Sequence, residues 1–158
     1  MPVVTAEVLV PVDTATAFAV SQTTGEIRRR WDPFIGEQRF LDGAELPAKD
    51  VRTYTRQRLG FTMISHYVSY APPTNVGMAM DSGPWFFEKL GGGWRFTPSE
   101  DGMGTHAVWK YNFSCRPAWL APIAEWVGVR VLGFEIRRRI AGFADGCQDP
   151  EVLAAVQQ

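Results

Sequence analysis

Between Pro33 and Pro117 the chain is cut at short intervals by turn signals: Asp42-Gly43, Leu59-Gly60, Ala71-Pro72-Pro73, Ser82-Gly83-Pro84 and Asp101-Gly102. The segments between them have strand length, near 34–41, 49–58, 61–71, 75–82, 86–98 and 104–114. Ahead of them, residues 3–12 alternate in polarity and are rich in valine, which reads as one more strand. Asp13 is placed to cap a short helix over 14–21 whose apolar face holds Phe18. Thr23 followed by Glu26 is a capping-box pattern, opening a second short helix that runs to Trp31 and is stopped by Pro33. A long helix closes the chain, with Pro122 in its first turn, where the missing N–H costs nothing.

That last helix carries a conflict. Val129, Leu132, Ile136, Ile140 and Phe143 recur as a single stripe, yet Val127, Val131 and Phe134 lie on the opposite side. Gly128, Gly133 and Gly142 interrupt the run, and each costs ~1 kcal/mol relative to alanine inside a helix. Something beneath the helix has to account for them.

At 158 residues, 46% apolar and 21% charged, the chain is expected to form one globular domain over 1–147, with 148–158 as a tail. Sixteen basic against seventeen acidic residues leave a net charge of -1, without the basic excess of a nucleic-acid groove. No apolar run approaches the ~20 residues of a membrane span. The opening MPVVTAEVLVPV lacks a basic region and alternates, so it reads as a strand and not as a signal peptide. Cys115 and Cys147 lie far apart and suit a reduced, cytoplasmic setting. With His66 and His106 they make no zinc spacing. No nucleophile elbow, P-loop or dinucleotide fingerprint is present, so neither metal nor cofactor is expected.

The element order, with RRRWDPF after the paired helices, SYAPPTNV between two strands and GGGWRFTPSEDGMGTHAVWKYNF as the last hairpin, resembles the START-like superfamily over roughly residues 3–145. That group includes lipid-transfer START domains, Bet v 1-like plant proteins and bacterial polyketide cyclase/dehydrase proteins. The resemblance implies an α+β helix-grip fold. In it, a seven-stranded curved antiparallel sheet wraps around the long C-terminal helix, with two short helices between strands 1 and 2. It also implies an apolar cavity under that helix, where glycines would allow close approach or bending. In the cyclases of this group, pocket residues orient a poly-β-keto chain and assist enolisation and dehydration, with no invariant catalytic motif to transfer.

Alternation indicates which side chains face that cavity. On strand 49–58, Arg52, Tyr54, Arg56 and Arg58 share a face, and burying three unpaired arginines would cost several kcal/mol each. That face is expected in water, leaving Val51, Thr53, Thr55 and Gln57 inside. If Leu59-Gly60 is a two-residue turn, the next inward set is Thr62, Ile64, His66, Val68 and Tyr70. Val76, Met78, Met80, Trp94, Phe96, Trp109, Tyr111 and Phe113 follow, with His106, Lys110 and Asn112 outside. A bulge at Gly91-Gly92-Gly93 would flip part of this register.

The expected ligand-contacting residues are therefore Trp31, Phe34, Thr53, Thr55, Ile64, His66, Val68, Met78, Met80, Trp94, Trp109, Tyr111, Phe113, Trp126, Val129 and Gly133. Most could equally be plain core. His66 and Tyr111 are the candidates for proton transfer; His66 could instead anchor a ligand or be a satisfied core histidine. The triplets Arg28–Arg30 and Arg137–Arg139 read as solvated helix faces. The preferred function is binding or carriage of a hydrophobic small molecule: a lipid, a polyketide or an aromatic metabolite. The alternative is a polyketide aromatase/cyclase or dehydratase. A weaker third reading makes Val127, Val131 and Phe134 a homodimer patch.

Overall fold

Short turns leave successive strands no choice but to pair antiparallel with their predecessors. In the computed structural model, which describes residues 1–157, they do so from β2 (Ile35–Phe40) through β3 (Arg52–Gln57), β4 (Thr62–Ala71), β5 (Asn75–Ser82) and β6 (Phe87–Pro98) to β7 (Thr105–Cys115). β1 (Val3–Val10) adds to β7, giving one curled seven-stranded sheet in the order β1-β7-β6-β5-β4-β3-β2. Between β1 and β2 lie α1 (Thr14–Ser21) and α2 (Gly25–Trp31); α3 (Ala121–Gly146) closes the fold against β1 and β7. This is the helix-grip arrangement. Asp13 caps α1 by accepting the Thr16 N–H at 2.7 Å. No capping box forms at α2: the Thr23 hydroxyl donates instead to the Val20 carbonyl and accepts the Trp31 indole N–H at 2.8 Å. Within the expected tail, of which residue 158 lies outside the described residues, the chain is not bare. Pro150–Val156 form α4, with Val152 fully buried and Asp149 paired to Arg30. Among the described residues no helix is long and apolar enough to cross a membrane.

The stripe on α3 is buried from Leu132 through Ile136 and Ile140 to Phe143, while Val129 is 38% exposed. The glycines separate into two kinds. A Cβ at Gly142 would overlap the Trp31 carbonyl oxygen, and one at Gly128 would lie 2.6 Å from the Phe113 ring. Gly146, further along, sits against the Trp31 side chain in the same way. These are close approaches. Gly133 is not: a Cβ there meets only the flexible end of Arg137, at 3.2 Å.

One register expectation fails. The β3–β4 turn holds three residues, not two, because the Gln57 N–H donates to the Phe61 carbonyl and Gly60, at φ 100°, turns back onto the Gln57 carbonyl. Thr55 therefore faces Met63 and Thr53 faces Ser65. A slip of one residue exchanges the two faces of a strand. Met63, Ser65 and Tyr67 point inward, and Ile64, His66 and Val68 point outward. A bulge between Tyr67 and Ser69 then returns Tyr70 to the inside, where its ring packs edge-on against Phe18.

The contrast between glycines gives a first prediction. Gly142→Ala should destabilise the fold by ~1–3 kcal/mol, the usual cost of forced overpacking. Gly133→Ala should leave stability unchanged or raise it by up to ~1 kcal/mol through helix propensity. Denaturant melts of the two variants check this, and equal losses would contradict the packing account.

Candidate functional site

Beneath the middle of α3, between Val131 and Arg139, the sheet and helix part to leave a cavity of about 470 Å³. Its walls are Met63, Met78, Met80, Trp94, Trp109 and Leu132, with Phe87 and Leu90 toward one side. β6 contributes the Leu90 and Trp94 side chains and, between them, the bare backbone of Gly91–Gly93, where a Cβ at Gly92 would collide with the Lys110 carbonyl oxygen of the neighbouring strand. Trp94 stacks on Trp109 with ring centroids 4.2 Å apart, a rigid aromatic wall. The mouth is ringed by Leu59 and Phe61 from the β3–β4 turn, Pro84 and Phe86 from the β5–β6 turn, and Val131 and Phe134 from α3. Phe61 and Phe86 meet edge-to-face at 6.1 Å, and Leu59 is 79% exposed and Phe134 53%.

The inner end is charged. Asp32, entirely buried, receives Arg28 Nε at 3.0 Å and Arg139 Nη2 at 2.8 Å, with Arg139 Nε at 3.1 and 3.2 Å and the Phe34 N–H at 3.1 Å. Arg139 spends its remaining nitrogen on two cavity residues, donating from Nη1 to the Tyr111 hydroxyl and to Glu135 Oε1 at 3.3 Å. Its guanidinium lies 4.4 Å over the Trp109 ring. Burial pushes the Asp32 carboxyl up, but Arg139 and Arg28 outweigh it and hold the group below the ordinary aspartate range. For Glu135 burial wins, and its carboxyl is raised despite Arg139. Burial likewise raises the Tyr111 phenol, and it pushes Tyr67, whose hydroxyl donates to Gln22 Oε1 at 3.0 Å, up to about 12.

Of the residues expected at the ligand, Phe34, Thr55, Met78, Met80, Trp94, Trp109 and Tyr111 line this cavity. The others lie elsewhere. His66 stands on the outer face with Nδ1 2.7 Å from Asp81 Oδ1, and Ile64 and Val68 share that face because of the longer turn. Trp31 is buried between α2 and α3, edge-on to Phe143, and acts as a plug behind the wall. Thr53 and Phe113 are buried outside the cavity lining; Trp126 and Val129 lie on the exposed part of α3, and Gly133 does not border the space. The residues that sequence reasoning missed are Arg28, Asp32, Glu135 and Arg139. Two of them sit in arginine triplets expected to be solvated, of which only Arg28 and Arg139 turn inward. The available signal was spacing: Arg28 and Asp32, like Glu135 and Arg139, stand four apart on a helix and can pair.

The family of polyketide cyclase/dehydrase and lipid transport proteins matches residues 1–148, and the chain belongs to it. Among solved structures, TTHA0849 from Thermus thermophilus superposes with a TM-score of 0.75 at 12% identity, covering 99% of this chain and 100% of that one. A START superfamily protein from Mycobacterium smegmatis gives 0.74 at 12% identity over 92% and 97% of the two chains. The di-domain ARO/CYC BexL of the BE-7585A biosynthetic pathway gives 0.67 at 16% identity, over 91% of this chain and 49% of that one. At these identities the likeness speaks for the fold. No curated protein matches the sequence.

Removing one partner from the buried cluster should be costly. Asp32→Asn leaves two guanidinium groups without their shared acceptor, and a loss of ~3–5 kcal/mol is expected at neutral pH. Asp32 titrates below its unfolded value, so its contribution is complete above that value and is lost as pH falls through the folded one. The gap between wild type and Asp32→Asn should therefore close in strong acid. Melts between neutral pH and pH ~2 test this; a gap independent of pH would contradict it.

Proposed function

We propose that this protein binds and carries a flat or elongated, largely apolar molecule with one oxygen-bearing end. The observation that carries the reading is a cavity with a methionine and aromatic wall and a charged inner end. Its volume, about 470 Å³, falls within the ~300–1,000 Å³ of small-molecule sites. Three methionines on the wall provide soft surface that adapts to ligand shape. Family membership supports a hydrophobic small molecule, such as a lipid, a polyketide or an aromatic metabolite. The apolar mouth admits it without wetting it. Inside, the oxygen end meets Tyr111, Glu135 and Arg139, and Gln38 Oε1, buried on the wall without a partner, is a further acceptor for a ligand hydroxyl.

A second reading, a polyketide aromatase/cyclase or dehydratase, draws on one observation: a phenol and a carboxyl stand together at the inner end. His66 lends it nothing, since its ring lies outside the sheet.

Native mass spectrometry of freshly purified protein should reveal a co-purifying apolar compound. The neutral fluorophore N-phenyl-1-naphthylamine should bind, and Met78→Trp, which fills the cavity, should weaken it at least ~10-fold with the fold intact, a loss of about 1.4 kcal/mol. Unchanged affinity in a folded Met78→Trp protein would place the ligand elsewhere.

A further inference from the structure

The buried cluster contains two carboxylates that are served very unequally. Asp32 is enclosed and accepts from Arg28, from two nitrogens of Arg139 and from the Phe34 N–H, so it has nothing left to give a ligand. Glu135 has a single cationic partner, Arg139 Nη1 at 3.3 Å, and its side chain, 11% exposed, borders the cavity. The same Nη1 also donates to the Tyr111 oxygen, so the phenolic proton serves Glu135, in a contact that a ligand carbonyl can take over. Carboxyl and phenol are thus held side by side by one nitrogen, at the charged end of an apolar space. Among the described residues nothing else in the cavity pairs a base with a donor. Tyr67, the other phenol on the wall, is bonded to Gln22.

We infer that Glu135 is the proton-transfer group of this cavity, acting on the α-carbon of an apolar ketone whose carbonyl oxygen accepts a hydrogen bond from Tyr111. The Glu135 carboxylate takes the α-proton, the C–H pair becomes the C=C bond of the enolate, and the carbonyl π pair moves onto oxygen. Charge grows on that oxygen, which replaces Glu135 as acceptor of the Tyr111 hydroxyl, itself backed by the Arg139 cation. Once the Glu135 carboxyl has traded that proton with solvent, reprotonation of the same carbon completes an exchange, and delivery to another carbon of the enolate completes an isomerisation, with no oxidant, reductant or metal needed. Enolisation is also the first step of any carbon–carbon ring closure by a ketone, so the inference gives the second functional reading a base that the sequence did not offer.

The electrostatics support the role. Three groups face Glu135: Arg139 on its own helix and Tyr111 on β7 favour the carboxylate, and Asp32 at the end of α2 opposes it. Burial outweighs them and raises the carboxyl, toward the range in which a general base works best near neutral pH. Asp32, held low by two guanidiniums, is by contrast a fixed anion.

The inference rests on the cavity reading, and the test separates the two. α-Tetralone, a compact aryl ketone whose unassisted exchange is slow, is incubated with the protein in D2O, and loss of its C2 protons is followed by NMR. Its binding is read separately, by displacement of N-phenyl-1-naphthylamine. Wild type should accelerate exchange saturably, with a rate that rises with pD through one titration, and saturating fluorophore should suppress it. Glu135→Gln should lose ~100- to 10,000-fold of the acceleration while keeping probe affinity and melting temperature. Tyr111→Phe should lower the rate as well. If tetralone displaces the probe but wild type does not accelerate exchange, the proton-transfer role falls and the carrier reading stands. Undiminished exchange in folded Glu135→Gln removes Glu135 from the role. If neither probe nor ketone binds, both readings fall. Should Glu135→Gln fail to fold, a flat wild-type pD profile, or exchange indifferent to the fluorophore, overturns the inference by itself.

Discussion

The fold turns on one carboxylate. Asp32 ends α2 and is completely buried, and it survives there only because two guanidinium groups converge on it, one from a turn earlier and one from α3. Much of the attraction in such a cluster is consumed by desolvation, so its main consequence is positional. Arg139 cannot satisfy Asp32, Tyr111 and Glu135 together unless α2, α3 and β7 stand in one relation. Packing at the same junction agrees with the charges: Trp31 fills the gap, and Gly142 and Gly146 let the helix settle directly upon it.

The cavity follows from where that clamp acts. It grips the C-terminal half of α3, where Ile136, Ile140 and Phe143 are buried against the sheet. The preceding turns lack the charged clamp and rest on Phe113 at Gly128, while Val127, Val131 and Phe134 stay exposed. Leu132 and Glu135 mark the boundary, facing a sheet whose sixth strand offers glycines where other strands offer side chains. The space is therefore apolar along its length and charged only where the clamp begins. One arrangement both holds the helix and supplies the oxygen-binding end of the site.

Much of this was legible in the sequence, and the exceptions have definite causes. Turn signals and alternation located every strand. The inward faces of β3, β6 and β7 came out correctly because an arginine-bearing face and alternating aromatics leave no ambiguity, and that of β5 because Val76, Met78 and Met80 alternate. β4 failed at a single point. Leu59-Gly60 fits a two-residue turn as well as part of a three-residue one, and that one residue carried His66, Ile64 and Val68 to the wrong side. The charged cluster failed for a different reason. Within each triplet, one arginine is buried and two are not, and what separates them is a partner 107 residues away in the case of Arg139 and Asp32. Local pattern cannot see that distance. The glycine run in β6 was read as a candidate bulge, when its consequence is close strand approach: a Cβ at Gly92 would strike the Lys110 carbonyl and one at Gly93 the Val76 carbonyl.

The central claim is that apolar ligands enter the space between sheet and α3, and the methionine methyl groups report on it directly. Of five methionines, Met63, Met78 and Met80 line the cavity, whereas Met1 and Met103 are exposed at 65% and 80%. In a carbon–proton NMR titration of methyl-labelled protein with N-phenyl-1-naphthylamine, the first three resonances should shift together and the last two stay fixed, because the naphthyl ring current falls off steeply with distance. Shifts confined to Met1 and Met103, or no shift at Met63, Met78 and Met80 when the fluorophore is bound, would contradict the account.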